Sequence, residues 1–100
     1  MSNSQVNRQV GPVIKNGEVG DAVLEAIYED NAGRKIEVEE HSSYMRIKVE
    51  KECVLRFSTV AEMLGRDVTR SDIEANMPSL EGFIRVDSEK MRFLATADGE

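Results

Sequence analysis

Few residues of this 100-residue chain could do nucleophilic or metal chemistry, since it has one histidine, His41, and one cysteine, Cys53. His41 lies beside Glu39 and Glu40 in a predicted loop, and such a loop offers too few convergent ligands for a metal ion. Cys53 falls on the apolar face of a predicted strand, where burial raises the pKa of a thiol and weakens it as a nucleophile. A Cys53–His41 dyad remains an alternative, although no third group is in place to orient the histidine.

Paired carboxylates and phosphate-binding loops are also absent as sequence patterns. Glu37 and Glu39 alternate with apolar residues, so a strand would turn both carboxylates to solvent. Their spacing fits no calcium-binding EF-hand loop, and the glycines near the N-terminus are too far apart for G-x-G-x-x-G. The residues therefore predict no catalytic centre, no cofactor and no metal, and they favour a binding or regulatory domain.

The composition narrows the class of protein further. Thirteen Lys and Arg against 19 Asp and Glu give a net charge of −6, which disfavours nucleic acid and anionic membranes as partners. The pattern contains neither an apolar run long enough to span a membrane nor a secretory signal. A single cysteine makes no internal disulfide, as is usual in a reducing compartment. We expect a cytoplasmic protein that is a monomer when free.

The hydrophobic pattern of the first half predicts a strand, a helix and a meander. Residues 10–14 are extended, and the helix that follows has Asn16 as its N-cap and Gly33 as the left-handed residue at its end. From Lys35 onward the apolar residues recur with a period of two. This period predicts three consecutive antiparallel strands, the last of which runs through Phe57.

The second half predicts two short helices, an irregular segment and a hairpin. Thr59 and Thr69 each begin a capping-box pattern, and Gly65 follows the first of these helices. The expected fold class is α+β, a small single domain with antiparallel β-sheets packed on one main helix plus two short helices. The domain boundaries expected are a flexible N-terminal tail at 1–9, the folded domain at 10–96 and a C-terminal tail at 97–100.

Two features are suited to a binding protein, and each has a second interpretation. Leu24 and Tyr28 lie off the main helical stripe, so they form either a second apolar patch or one wide stripe that fills the core. Met77 and Leu80 lie in the irregular segment, where they form either a docking tip or an anchor beneath the sheet.

Several stretches in fixed order resemble a known family from about residue 10 to residue 94. They are Val10-Gly-Pro-Val-Ile-Lys15 with Gly17, Glu29-Asp-Asn31 with Gly33, Val38-Glu-Glu40 with Tyr44-Met-Arg-Ile47, Leu64-Gly-Arg66, Gly82-x-Ile84 and Met91-Arg-Phe93. The chain resembles the coupling, or effector, proteins of bacterial multicomponent di-iron monooxygenases, and the toluene monooxygenase type most of all. Phenol hydroxylase and methane monooxygenase regulatory proteins are more distant relatives.

The resemblance implies a cofactor-free regulatory component with no catalytic activity of its own. Its partner would be the di-iron hydroxylase, which works with a ferredoxin and an NADH reductase in the same system. Family members bind near the di-iron site and tune rate, coupling and regiospecificity, here on an aromatic or alkene substrate. The net acidic charge would favour docking onto a basic face. The alternative is a generic α+β ligand-binding or allosteric domain.

The resemblance also implies where the hydroxylase would bind. The segment 76–82 corresponds to the family loop that faces the hydroxylase, and Asn7 and Val10 lie on the side of the N-terminal tail. The expected interface residues are Asn76, Met77, Pro78, Ser79, Leu80, Gly82, Asn7 and Val10. Ser79 keeps the small hydroxylated character that methane-type relatives have in this loop. Some relatives have a glycine where this chain has Glu50-Lys51, which predicts a longer or looser turn.

Overall fold

Residues 8–97, the part of the chain that this computed structural model describes, form seven strands and three helices. In chain order they are β1 Gln9–Lys15, α1 Glu18–Asp30, β2 Ile36–Glu40, β3 Tyr44–Glu50, β4 Glu52–Arg56, α2 Phe57–Leu64, α3 Arg70–Ala75, β5 Ser79–Glu81, β6 Phe83–Val86 and β7 Lys90–Leu94. The predicted α+β class with one main helix and two short ones is confirmed. No helix among these residues is long and apolar enough to cross a membrane.

The strands form two antiparallel sheets around one core. The first sheet has the order β2-β3-β1-β5, and the second has the order β4-β7-β6. In the first sheet Val10 lies opposite Val49 and Ile14 lies opposite Met45, so the even residues of β1 and the odd residues of β3 share the inner face. Helix α1 packs against this core with Ala22, Val23, Ala26 and Ile27 buried. The opposite face of the first sheet carries the polar residues of these strands.

The predicted three-stranded meander is wrong at its third strand. β4 pairs with β7 in the second sheet and not with β3, and Phe57 begins α2 instead of continuing the strand. Lys51 turns the chain between the sheets with a φ of 74°. Its backbone N–H donates to the carbonyl of Arg8 at 3.0 Å. The alternation misleads here because both sheets bury the same set of odd residues in the shared core, so the period of two continues across the turn.

Two predicted helix starts are also corrected by the hydrogen bonds. The N-cap of α1 is Gly17, while the Asn16 amide donates to the carbonyls of His41 and Ser42 in the neighbouring turn. Helix α2 begins at Phe57 without a side-chain cap. The capping box of α3 at Thr69 is confirmed, as are the positive φ of Gly33 and the position of Gly65 directly after α2, where it is the C-cap.

The C-terminal end of α1 is tied to the second sheet by two polar side chains. Asn31 is 2% exposed; its Nδ2 donates to the Val54 carbonyl at 2.7 Å and its Oδ1 accepts from the Val54 N–H at 2.8 Å. The Asp30 carboxylate accepts from the Arg56 N–H and from the hydroxyl of the buried Thr59, each at 2.8 Å. Asn31 thus makes the backbone hydrogen bonds at the outer edge of β4 that a further strand would make. Thr59 joins α2 to the end of α1 and does not cap α2.

Candidate partner interface

The structure separates the two residues of the candidate catalytic dyad. Cys53 is completely buried in the core, and burial, reinforced by the negative charge of Asp30, raises the pKa of its thiol. His41 lies in the turn between β2 and β3, where its ring stacks on Tyr44 with 4.5 Å between centroids. The thiol is therefore protonated and has no histidine base beside it. Among residues 8–97, no group of three or more His, Cys, Asp or Glu side chains is arranged to hold a metal ion.

The centre of the segment expected to face a partner, Ser79–Glu81, is a strand at the edge of the first sheet, which corrects the prediction of this part as irregular. β5 pairs with β1, with Ser79 opposite Val13 and Leu80 opposite Pro12. Three residues are too few to show a period of two, and the flanking Pro78 and Gly82 are residues typical of turns. The pairing holds the segment in one extended conformation against the sheet.

Asn76 fixes the start of this segment between α3 and β1. It is the C-cap of α3, and its Nδ2 donates to the Asp72 carbonyl at 2.9 Å. Its own carbonyl accepts from the Lys15 N–H at 2.8 Å. These bonds join the end of the helix to the end of β1, so Asn76 positions the segment that follows it.

The side chains of the segment alternate between the core and solvent. Pro78, Ser79 and Glu81 are exposed, whereas Met77 and Leu80 are half-buried and pack against the core. Met77 and Leu80 thus act largely as the anchor beneath the sheet that was one of their two interpretations. Leu24 likewise packs against the core, while Tyr28 is 48% exposed.

Gly82 carries the chain from the first sheet to the second and has no room for a side chain. Its φ is 108°, and a Cβ on it would lie 2.7 Å from the Leu94 carbonyl oxygen and 2.8 Å from Cγ1 of Val10. Val10 is completely buried, which corrects its place among the interface residues, because its side chain has no surface to present. Asn7 lies outside the described residues.

Arg8 lies beside this segment, and the sequence patterns did not predict that it would. Its guanidinium lies 3.1 Å from the Glu81 carboxylate and donates to the Ala95 carbonyl at 3.0 Å. It also lies 5.8 Å from the centroid of the exposed Phe83 ring. A lone arginine in a polar stretch gives no pattern from which these contacts could be predicted, because all of these partners of the guanidinium are more than 70 residues away in the chain.

Comparison with known proteins identifies the family of this chain. A model of the MmoB/DmpM family matches residues 8–94. The chain belongs to the MmoB/DmpM family. A relative of this MmoB/DmpM protein is the effector subunit of the alkene monooxygenase system of Xanthobacter autotrophicus. The two are 36% identical over 97 residues, which cover 93% of this chain and 96% of the relative.

Solved structures of the same kind resemble this MmoB/DmpM protein in three dimensions. A chain in the structure of the phenol hydroxylase–regulatory protein complex has a TM-score of 0.74 and 26% identity, over 86% of this chain and 95% of that one. The soluble methane monooxygenase regulatory protein B shares the fold, with a TM-score of 0.68 and 21% identity over 99% of this chain and 71% of that one. The resemblance seen in the sequence is therefore confirmed. The chain is an effector, or regulatory, subunit of a multicomponent monooxygenase and not its catalytic hydroxylase.

Proposed function

We propose that this protein is a cofactor-free effector that binds the di-iron hydroxylase of an aromatic or alkene monooxygenase and tunes its active site, rate, coupling and regiospecificity. The observation that carries the proposal is the 36% identity with an alkene monooxygenase effector subunit over nearly the full length of both chains. The similarity to a chain in a hydroxylase–regulatory protein complex supports the hydroxylase as the partner. A ferredoxin and an NADH reductase would supply electrons in the same system.

The effector acts by binding one conformation of the hydroxylase more tightly than another. A ligand shifts a conformational equilibrium only by its difference in affinity for the two states, and about 3 kcal/mol changes the ratio roughly a hundredfold. Such a difference requires that the effector itself be rigid where it binds. The bonds of Asn76 and the pairing of β5 with β1 support this, because they hold the contact residues in place before binding.

Within the interface, we assign the direct contacts to the exposed residues of the β5 edge. Pro78 and Ser79 are exposed, and Leu80 and Met77 are half-buried beneath them. Asn76 and Gly82 act as positioning residues, since one fixes the start of the segment and the other its exit. Ser79 is the residue we expect closest to the partner, because its side chain points away from the core in register with Val13.

Product formed per NADH consumed tests this function. Hydroxylase, ferredoxin and reductase of the same system are assayed with increasing amounts of this protein, and with Cys53→Ser as a control. We expect both rate and coupling to rise and to saturate near one effector per active site. Cys53→Ser should do the same, because its thiol takes no part in chemistry. No change with the wild-type protein would contradict the proposal, and loss of the effect in a folded Cys53→Ser variant would indicate a catalytic thiol.

A further inference from the structure

The face of the first sheet that points away from the core carries a groove beside β5. Its volume is about 310 Å³, and its walls include Arg8, Arg46, Lys48 and Glu81. The floor is formed by Gly11 and Val13 of β1, and Val13 is only 6% exposed although it lies on the outer face. We call this feature the cationic groove.

The backbone of Gly11 helps to form this groove. Its φ is 151°, and a Cβ built on it would lie 2.2 Å from the carbonyl oxygen of Ile47 in the neighbouring strand. Such a Cβ would also lie 3.8 Å from Sγ of Cys53, which is buried, so the close approach of the β3 backbone excludes a side chain at Gly11. Without a side chain, Gly11 contributes only backbone to the lining of the groove, which Lys48 of β3 also lines.

The charge of the groove is opposite to that of the whole protein. Three cationic side chains and one carboxylate line it, while the chain carries a net charge of −6. Arg8 is paired with Glu81 at 3.1 Å. Arg46 and Lys48 share a single carboxylate, Glu39, at 3.7 and 3.6 Å. These distances exceed that of a hydrogen bond, so both cations keep donors for another acceptor.

The acidic residues of α1 lie in a different part of the molecule. Glu18, Asp21 and Glu25 line a second groove, between α1 and α2, with Met63. Three carboxylates therefore line the groove on the helical side, whereas cations outnumber carboxylates in the lining of the groove beside β5. Net charge alone does not predict which face of this protein attracts a partner.

We propose that the cationic groove binds a carboxylate-bearing segment of the hydroxylase, and that docking is steered by positive charge on this face. The proposal rests on the proposed function and adds the chemistry of the contact. Two observations select this occupant. First, Glu81 of β5 lines the groove, so the groove is continuous with the edge assigned to the hydroxylase. Second, the free donors of Arg46 and Lys48 match carboxylate acceptors. The expectation that an acidic chain docks onto a basic face is reversed at this site.

The test compares two double variants that remove the same charge. Arg46→Gln with Lys48→Gln neutralises the groove, and Lys35→Gln with Arg56→Gln is the matched control. Lys35 is a useful match because its Nζ also lies 3.6 Å from one carboxylate, Glu37, and neither control residue lines the groove. Affinity for the purified hydroxylase is measured by calorimetric titration at several salt concentrations, and circular dichroism melts check that each variant folds.

We expect the groove variant to bind about tenfold more weakly than wild type, with a flatter dependence of affinity on salt. The control should stay within about twofold. Lys48→Arg, which keeps the charge, should bind as wild type does. Equal or tighter binding by the folded groove variant, while wild type binds normally, would overturn the groove as a docking site and leave the proposed function intact. Failure of the wild-type protein to bind the hydroxylase would instead overturn the proposed function itself.

Discussion

The C-terminal end of α1 and the β5 edge both contain residues by which the sequence resembles the effector family, and they use them in opposite ways. At the end of α1, Asn31 is buried and its side chain satisfies the backbone of β4. At the β5 edge, Ser79 is exposed and makes no such contribution to the core. Similarity to a family therefore marks a residue as fold-determining in one place and as available for a partner in another, and only burial and bonding separate the two.

The largest effect we expect is from Asn31→Ala, which should destabilise the fold without altering the contact surface. The variant leaves the N–H and carbonyl of the half-buried Val54 without their side-chain partner, and unpaired polar groups that are removed from water cost about 1–3 kcal/mol each. We expect the free energy of unfolding in urea to fall by about 3 kcal/mol. Asn16→Ala is the control: Asn16 also donates two hydrogen bonds, but it is exposed. A similar loss in both variants would remove the distinction.

Gly82→Ala tests the junction between the two sheets, where the β5 edge ends, and its effect is expected to be smaller. The positive φ and the contacts of a Cβ with Leu94 and Val10 should together cost about 2 kcal/mol. Gly33→Ala is the matched control, since Gly33 also has a positive φ, 88°, but nothing lies within 4 Å of a Cβ there. Its cost should be about 1 kcal/mol, the strain of the backbone alone. Equal unfolding free energies for the two variants would show that Gly82 is not sterically required.

Ser79→Lys should affect binding and spare stability, the reverse of Asn31→Ala. A long side chain on the outer face of β5 would obstruct the surface assigned to the hydroxylase. Its charge has the sign that the cationic groove favours, so the loss would come from its bulk, and we expect about tenfold weaker binding, equal to 1.4 kcal/mol. The melting temperature should change little, because Ser79 is exposed. Ser88→Lys, in the exposed turn between β6 and β7, is the control. Wild-type affinity for Ser79→Lys would exclude Ser79 from the interface.

Lys51→Gly is expected to have the smallest effect and to stabilise the protein. Lys51 is the one non-glycine residue with positive φ among residues 8–97. Relief of this strain should raise the free energy of unfolding by about 0.5–1 kcal/mol in urea. Lys51→Ala removes the same side chain but retains the strain, so it should gain nothing. A gain in both variants would assign the effect to the charge of Lys51 and not to its backbone.

The sequence predicted helices and strands well where a hydrophobic pattern was long. It predicted them less well where strand pairing or tertiary packing determined the structure. The period of α1 and the β6–β7 hairpin needed only local residues. The change of sheet at Lys51 could not be predicted from the period of two. Val49 and Cys53 belong to different sheets but face the same core, so the alternation continues across the turn. β5 was missed because it is three residues long.

For the candidate site, resemblance located the segment but the residues themselves did not predict their surroundings. The partners of Arg8 are distant in sequence, and the groove depends on Gly11 having no side chain between two strands. Val10 was assigned to the interface from its place near the tail, yet the register of β1 directs it into the core. Pairing register, and not residue type, decides which of two adjacent residues a partner can touch.

The central claim is that this protein regulates a hydroxylase through the β5 edge while the end of α1 only maintains the fold. The most direct measurement is product formed per NADH consumed, titrated with wild type, Asn31→Ala and Ser79→Lys at a temperature where circular dichroism shows all three folded. We predict that wild type and Asn31→Ala reach the same coupling at the same concentration, whereas Ser79→Lys requires about tenfold more protein. Equal titration curves for wild type and Ser79→Lys, or no rise in coupling with wild type, would contradict the account.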